Sequence, residues 1–414
     1  MSNVYANRVL AGPLSQRGEF SHFDYAKTAG INETVALSMP VGSSPDGFTM
    51  GEPGVLHPIF AMNIPEGRLR ETLLRMFAKA LPFANDDATL LEIVGRSQIG
   101  RLRVAPSVAE LDAVPALSLA SLLATQSTGE MFESLLTRYA RYSGIAGVQP
   151  KILVRDDNPA PAKAKKLAGD KIAVSGATHI VKFFDAEAFP ALAANEYACL
   201  RAASAAGLPV PAVSMANDAQ CLAVERFDKK PDGSYMGIED ACTLAGWQPK
   251  HKYIGSYEQV AKSLTAVITP AHLKEDMGIF FRTIVLSTVV RNGDAHRKNF
   301  SVLYDTPANV RFSPVYDIIS TTPYIKNDTL ALLLSGSKRW PSLKKLIQFG
   351  VNSCRLTPAE AADAINQVRD AVARTRKILR TLRQSASDEH SADALAAMLA
   401  AWEEGLAQTG RQPG

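Results

Sequence analysis

A chain of 414 residues is long enough for about two or three domains and a large core. Its 46% hydrophobic and 21% charged content is ordinary for a globular protein, and a formal net charge of only +4 implies no polyanion-binding role from charge balance. The four cysteines, Cys199, Cys221, Cys242 and Cys354, lie far apart without CxxC spacing and read as reduced core thiols rather than a disulfide framework or zinc site. MSNVYANRVL carries no signal-peptide pattern, and the longest apolar run, 277–290, is broken by Arg282 and too short to span a bilayer. The expectation is a cytoplasmic protein without membrane contact.

Residues 1–125 mix short alternating segments with turn residues, which predicts a β-rich N-terminal subdomain. Segments 4–14 and 20–27 read as strands, punctuated by Gly12-Pro13 and Gly18, and 42–47 as a loop. Residues 68–80 form an amphipathic pattern with Leu69, Leu73, Met76 and Phe77 on one face. No acid or base cluster with catalytic spacing occurs here, so this part reads as a scaffold or interaction domain.

Residues 126–230 begin with a helix over 130–142, its apolar face formed by Met131, Leu135, Tyr139 and Tyr142. It leads into Ser143-Gly144-Ile145-Ala146-Gly147-Val148-Gln149-Pro150-Lys151 and a strand at 152–154. Two glycines three apart could let backbone N–H groups approach a phosphate, although this is no Walker motif and most glycine turns bind nothing. The Pro-, Ala- and Lys-rich run 155–171 reads as an exposed hairpin loop. Segment 178–184 is an apolar strand with one charge, Lys182, which either points inward to phosphates or guards a sheet edge. An Ala-rich helix over 189–206 stops at Gly207; Glu196 within it either pairs with Lys182 or is solvated. Segments 212–214 and 222–227 look like a strand pair.

From about residue 231 the chain turns mainly helical. Ser256 and Gln259 have capping-box spacing, and Thr269-Pro270 begins the apolar helix that ends at Asn292-Gly293. Asp294 follows, Asn299 comes five residues later, 300–304 alternates like a strand, and 310–315 returns toward Asp317. This is the layout of a protein-kinase centre, in which one Asp takes the acceptor hydroxyl proton while an Asn and a later Asp hold magnesium. The bland alternative is an Asx-rich turn with incidental acids. His296, Arg297 and Lys298 crowd positive charge beside Asp294, which suits anionic phosphates. Residues 330–334 read as an apolar strand or helix start. Thr357-Pro358-Ala359-Glu360 opens a helix carrying Arg369, Arg374, Arg376, Lys377, Arg380 and Arg383, either a solvated face or a nucleic-acid or partner contact.

The stretches GVQPK, THIVKF, NEYACL, AVERFD, GDAHRKNFSV and SPVYDIIST together resemble the HipA family of bacterial serine/threonine kinase toxins, over roughly residues 140–340. The resemblance implies an α+β, protein-kinase-like bilobal fold: a HipA N-terminal-like subdomain at 1–125, a kinase N-lobe at 126–230 and a helical C-lobe at 231–414. It implies ATP and Mg2+ as cofactors, with Asp294 the catalytic base, Asn299 and Asp317 the metal ligands and Lys182 the phosphate-binding lysine. Gly147, Val148, Gln149 and Lys151 would cover the phosphates, with His296 and Lys298 nearby, and Glu225, Arg226 and Phe227 would hold adenine. Its partners would be a helix-turn-helix, HipB-like antitoxin, operator DNA through that antitoxin, and a translation protein such as an aminoacyl-tRNA synthetase as substrate. Family loops often carry an autophosphorylated serine three residues before the glycine matching Gly147; that position is Gly144 here, and Ser143 is the nearest candidate. Two alternatives stand beside this: a kinase of the same fold acting on a small molecule or lipid, and a non-catalytic corepressor of a DNA-binding partner.

Overall fold

The computed structural model describes residues 2–78, 87–157 and 176–410. The proposed loop at 155–171 and the end of the 68–80 helix therefore fall largely or partly outside the described residues. The chain divides into two compact units: Met1–Phe183 with Cys221–Glu239 and Leu303–Ala308, and Phe184–Gln220 with Asp240–Val302 and Asn309–Gly414. The expected N-terminal subdomain and most of the expected N-lobe thus share the first unit.

In the first unit, five antiparallel strands run in the order Phe48–Thr49, Phe20–Phe23, Val9–Arg17, Ser2–Ala6, Leu102–Ala105. The strand expected over 4–14 is instead two strands of a hairpin. Asn7, at φ 57°, turns the chain between them in the left-handed region that Asn tolerates better than most residues. A second sheet orders Ala116–Leu117, Lys151–Asp156, His179–Phe183 and Cys221–Glu225, antiparallel except for its first pair. Lys182 pairs with Lys151 on one side and Leu222 on the other, so its strand is central and the edge-guard reading fails. The helix over 68–80 is described as Gly67–Met76, with Leu69 and Leu73 buried as its pattern requires while Met76 stays exposed.

The second unit is built around the helix Leu273–Val289, in which Met277, Phe280, Phe281, Ile284, Val285 and Val289 are all buried. An apolar surface all round predicts such a helix to be enclosed. Helices Tyr257–Val267, Leu343–Cys354, Pro358–Gln384 and Glu389–Gln408 pack on it. Two glycines permit close approach: a Cβ at Gly350 would strike the Phe281 ring, and one at Gly405 the Val289 backbone. Arg282, which breaks the apolar run, reaches the carbonyls of Ala206 and Gly207 at the C-terminal end of the helix Leu192–Ala205. The capping boxes at Ser256/Gln259 and Thr357/Glu360 both form. All four cysteines are buried and none forms a disulfide, and no helix among the described residues is long and apolar enough to cross a membrane. The expectation of an α+β chain, β-rich first and helical later, holds.

Candidate active site

The loop that carries Asp294 is shaped by the end of the central helix. Arg291 takes φ 59°, and Asn292 N–H returns to the Ser287 carbonyl at 2.7 Å, closing the helix end. Asp294 N–H then donates to Asn292 Oδ1 at 3.0 Å, and His296 N–H to the Asp294 carbonyl at 2.7 Å. Gly293 lets the Asp328 carboxylate lie against the backbone, where a Cβ would strike it. The Asp294 side chain is only half-buried, and Tyr253 O–H donates to its Oδ1 at 2.6 Å.

Asn299 ends the short 3-10 turn Arg297–Asn299, which delivers it into the strand Ser301–Tyr304. Its Nδ2 donates to Asp317 Oδ2 at 3.3 Å and to the Asp317 carbonyl at 3.2 Å, while its Oδ1 is buried without a hydrogen-bond partner. Asp317 lies beyond the return strand Val310–Phe312, not at its tip, and sits at φ 57°. Tyr316 fixes that irregular segment, donating to the Lys298 carbonyl at 2.7 Å and meeting Ser301 Oγ at 2.6 Å. Downstream, Asn195 and Ser320 exchange two 2.8 Å bonds, and Trp402 Nε1 donates to Ser320 Oγ at 2.8 Å. Asn195 and Trp402 escaped the sequence reading because their role is set by tertiary contact; the Asn195-Glu196 pair inside NEYACL was the only local signal.

The positive charge expected beside Asp294 is smaller than the sequence implied. Burial pushes the His296 imidazole down to about 4, with Lys252 acting in the same direction and Asp317 opposing, so the ring is neutral near pH 7. Arg297 is buried and structural: it donates to the Ile254 carbonyl and Gln259 Oε1 and stacks 4.1 Å from the Trp247 ring. Lys298 alone of the three keeps a part-exposed charge. Glu196 is buried, which removes the solvated reading.

In the first unit, Lys151 and Lys182 are directly opposed on neighbouring strands and both buried. Like charges so placed repel unless an anion or other partners compensate them. Gly147, at φ +121°, lies against Lys151; a Cβ there would collide with the ammonium. Val148 is exposed, and its carbonyl packs against Gly67, where no side chain could fit. Gln149 Oε1 is buried without a hydrogen-bond partner.

Two expected contacts take a different form. The Arg226 guanidinium holds Asp228 through Nε at 3.0 Å and Nη2 at 2.6 Å and stacks 4.3 Å from Tyr235, while the Arg226 backbone N–H donates to the Thr178 carbonyl. Burial works against the Asp228 carboxylate, yet that guanidinium keeps its pKa below the ordinary value. Those bonds leave the Arg226 carbonyl and the buried Nη1 for a nucleotide contact. Ser143 is fully buried, donating to the Tyr139 carbonyl at 2.8 Å and accepting from Leu153 N–H at 2.9 Å. A phosphate there requires this turn to open.

The residues fit the cofactors the sequence implies. Asn299 Oδ1 and the Asp317 carboxylate are an all-oxygen donor pair, suited to a hard divalent cation, and one of those oxygens lacks a protein partner. Gly147, at φ +121°, lets the Lys151 ammonium lie against the loop backbone, where a side chain would displace it.

Comparison with known proteins decides the lineage. Residues 143–376 match the HipA-like C-terminal domain and residues 2–105 the HipA N-terminal domain. The chain belongs to the HipA family. It is 32% identical over 309 residues to "Putative kinase Y4dM" of Sinorhizobium fredii, covering 70% of this chain and 69% of that protein. It is 30% identical over 344 residues to "Putative kinase Y4mE" of the same organism, covering 78% and 77%. Kinase is therefore the reaction class by which relatives of this HipA chain are named. The HipA chain of Shewanella oneidensis, solved in complex with HipB and operator DNA, aligns with a TM-score of 0.69 at 20% identity, covering 98% of this chain and 97% of that one. The fold is the HipA fold.

Proposed function

We propose that this HipA-family chain is an ATP- and magnesium-dependent serine/threonine protein kinase, the toxin of a toxin–antitoxin pair. The observation that carries this reading is the set Asp294, Asn299 and Asp317: a part-exposed acid in a loop, and a second acid beside an amide oxygen that lacks a protein partner. In this reading Asp294 accepts the proton of the acceptor hydroxyl, and Asn299 Oδ1 with the Asp317 carboxylate holds Mg2+. When bound, the metal neutralises charge on the phosphate oxygens. In this reading Lys182 and Lys151, opposed on neighbouring strands, place two ammonium groups on the phosphates. Gly147, Val148 and Gln149 lie over the phosphates, Glu225 and Phe227 with the Arg226 carbonyl take adenine, Lys298 adds charge and neutral His296 adds hydrogen bonding.

Phosphoryl transfer asks little covalent chemistry of a protein. It needs a positioned hydroxyl, neutralised charge and exclusion of water. These residues are of the types required for the first two.

A HipB-like helix-turn-helix antitoxin is the proposed partner, and operator DNA is reached through it, by analogy with the assembly named for the Shewanella protein. The proposed substrate is a translation protein such as an aminoacyl-tRNA synthetase, in the cytoplasm. Ser143 remains a proposed autophosphorylation site, its modification coupled to opening of the turn that now holds its hydroxyl. Incubating a bacterial lysate with the chain and γ-labelled Mg-ATP tests the reading. Discrete protein labelling is expected; ATP turnover with label only on small molecules would instead indicate a small-molecule kinase.

A further inference from the structure

The exposed rim beside Asp294 carries a feature that the ATP, metal and base assignments leave unused. Tyr253 is 44% exposed, and its phenol O–H donates to Asp294 Oδ1 at 2.6 Å. An acceptor hydroxyl must present the same donor to the same carboxylate before its proton can move. Tyr253 is no loose side chain that has drifted there. The Lys252 carbonyl accepts from Arg297 N–H at 3.1 Å and the Ile254 carbonyl from Arg297 Nε at 2.8 Å, so the backbone is pinned on both sides. The ring meets His296 edge-on at 5.1 Å. Gly255, at φ +94°, turns the chain where a Cβ would strike Gln259 and Arg297. Leu333 N–H then bonds the Gly255 carbonyl at 3.0 Å, and Tyr257 N–H the Leu333 carbonyl at 2.9 Å, which sets Leu333 alongside this turn.

Two aliphatic residues of this turn region are exposed: Ile254, next to Tyr253 in the chain, at 53%, and Leu333, bonded to the turn through its backbone, at 36%. Large apolar side chains left exposed on the turn that carries Tyr253 are suited to contact with a partner. Resting on the kinase reading above, we infer that Tyr253 holds the place of the acceptor hydroxyl on Asp294, and that Tyr253, Ile254 and Leu333 form the acceptor subsite. Its occupant is a protein segment whose serine or threonine is flanked by an apolar side chain. That segment displaces the phenol from the carboxylate and covers Ile254 and Leu333. The phenol excludes water from the base until then, which limits futile hydrolysis of ATP.

The test uses the full chain, Mg-ATP and a peptide library with one central Ser or Thr and randomised flanks. Wild type is expected to select an apolar residue next to the hydroxyl. Tyr253→Phe, which keeps the ring on His296 but removes the competing donor, should lower KM for selected peptides and raise ADP formation without peptide. Each change should be roughly three- to tenfold, the range a surrendered hydrogen bond to a charged group supports at a part-exposed site. Ile254→Asp should erase the apolar selection and raise peptide KM by a larger factor than it lowers kcat. Three results overturn the inference: no apolar selection; a Tyr253→Phe variant whose kcat falls while KM stays; or no peptide labelling by a chain that makes ADP from ATP. Failure of the kinase reading looks different, because wild type would then match Asp294→Asn in ADP formation.

Discussion

Asp317 shows how one residue can carry two demands. It sits in the left-handed region at φ 57°, a conformation that costs most side chains energy but that Asp tolerates, and its carboxylate lies against Asn299. Asp317→Ala therefore removes a proposed metal ligand and an Asn299 partner without opening a core cavity. The expected outcome is loss of most phosphoryl transfer, roughly a hundredfold or more as for removal of a principal electrostatic stabiliser, with the melting temperature within a few degrees of wild type. Unchanged ATP turnover would remove the metal assignment. At the same scale, Arg226→Ala should behave in the opposite way. It strands the buried Asp228 carboxylate, at a cost of about 3–5 kcal/mol in the first unit. Chemical denaturation would read this as an earlier midpoint, and a shift under about 1 kcal/mol would contradict the pairing.

Elements differ in how plainly the sequence announced them. The helices Tyr257–Val267 and Pro358–Gln384 were legible because capping residues, proline placement and apolar periodicity agreed. The hairpin at Asn7 was not, since its two strands share one alternating pattern and only the Asn marks the turn. Residues 330–334 looked like a strand or helix start but make only isolated bridges, because their backbone is claimed by Gly255, Tyr257 and Lys338. His57 offers a test at this scale. It caps the short helix Pro58–Ala61, its Nδ1 accepting from Ile59 N–H at 3.4 Å, and burial pushes its pKa down to about 4. The unfolded ring binds its proton below its ordinary value of about 6.5, whereas the folded ring resists until about 4. The unfolded state therefore holds more protons across that window, and stability falls as pH drops from about 6.5 toward 4. The contribution at stake is up to roughly 3 kcal/mol. His57→Asn, which keeps an acceptor at the cap, should flatten the slope of melting temperature against pH in this window; an unaltered slope would contradict it.

For the whole molecule, the proposed catalytic set could be picked out because its spacing is local: Asp294 and Asn299 share one loop, and a short hairpin leads on to Asp317. What the sequence overstated was charge. Written side by side, His296, Arg297 and Lys298 look like three cations facing one site, yet burial neutralises the first and Trp247, Ile254 and Gln259 occupy the second. What it could not show was Tyr253, forty-one residues before the acid it touches, where no local pattern distinguishes a site residue from an exposed aromatic. The division of the chain into two units likewise depends on contacts distant in sequence, with Cys221–Glu239 and Leu303–Ala308 returning to the first.

The central claim is that Asp294 serves as the base of a phosphoryl transfer to protein. Wild type and Asp294→Asn, matched in size and shape and in melting temperature, would be incubated with a bacterial lysate and γ-labelled Mg-ATP, and protein-bound label followed in time. The account predicts discrete labelled protein with wild type and at least about a hundredfold less with the variant, the scale general-base removal brings. Equal labelling by the two would contradict it.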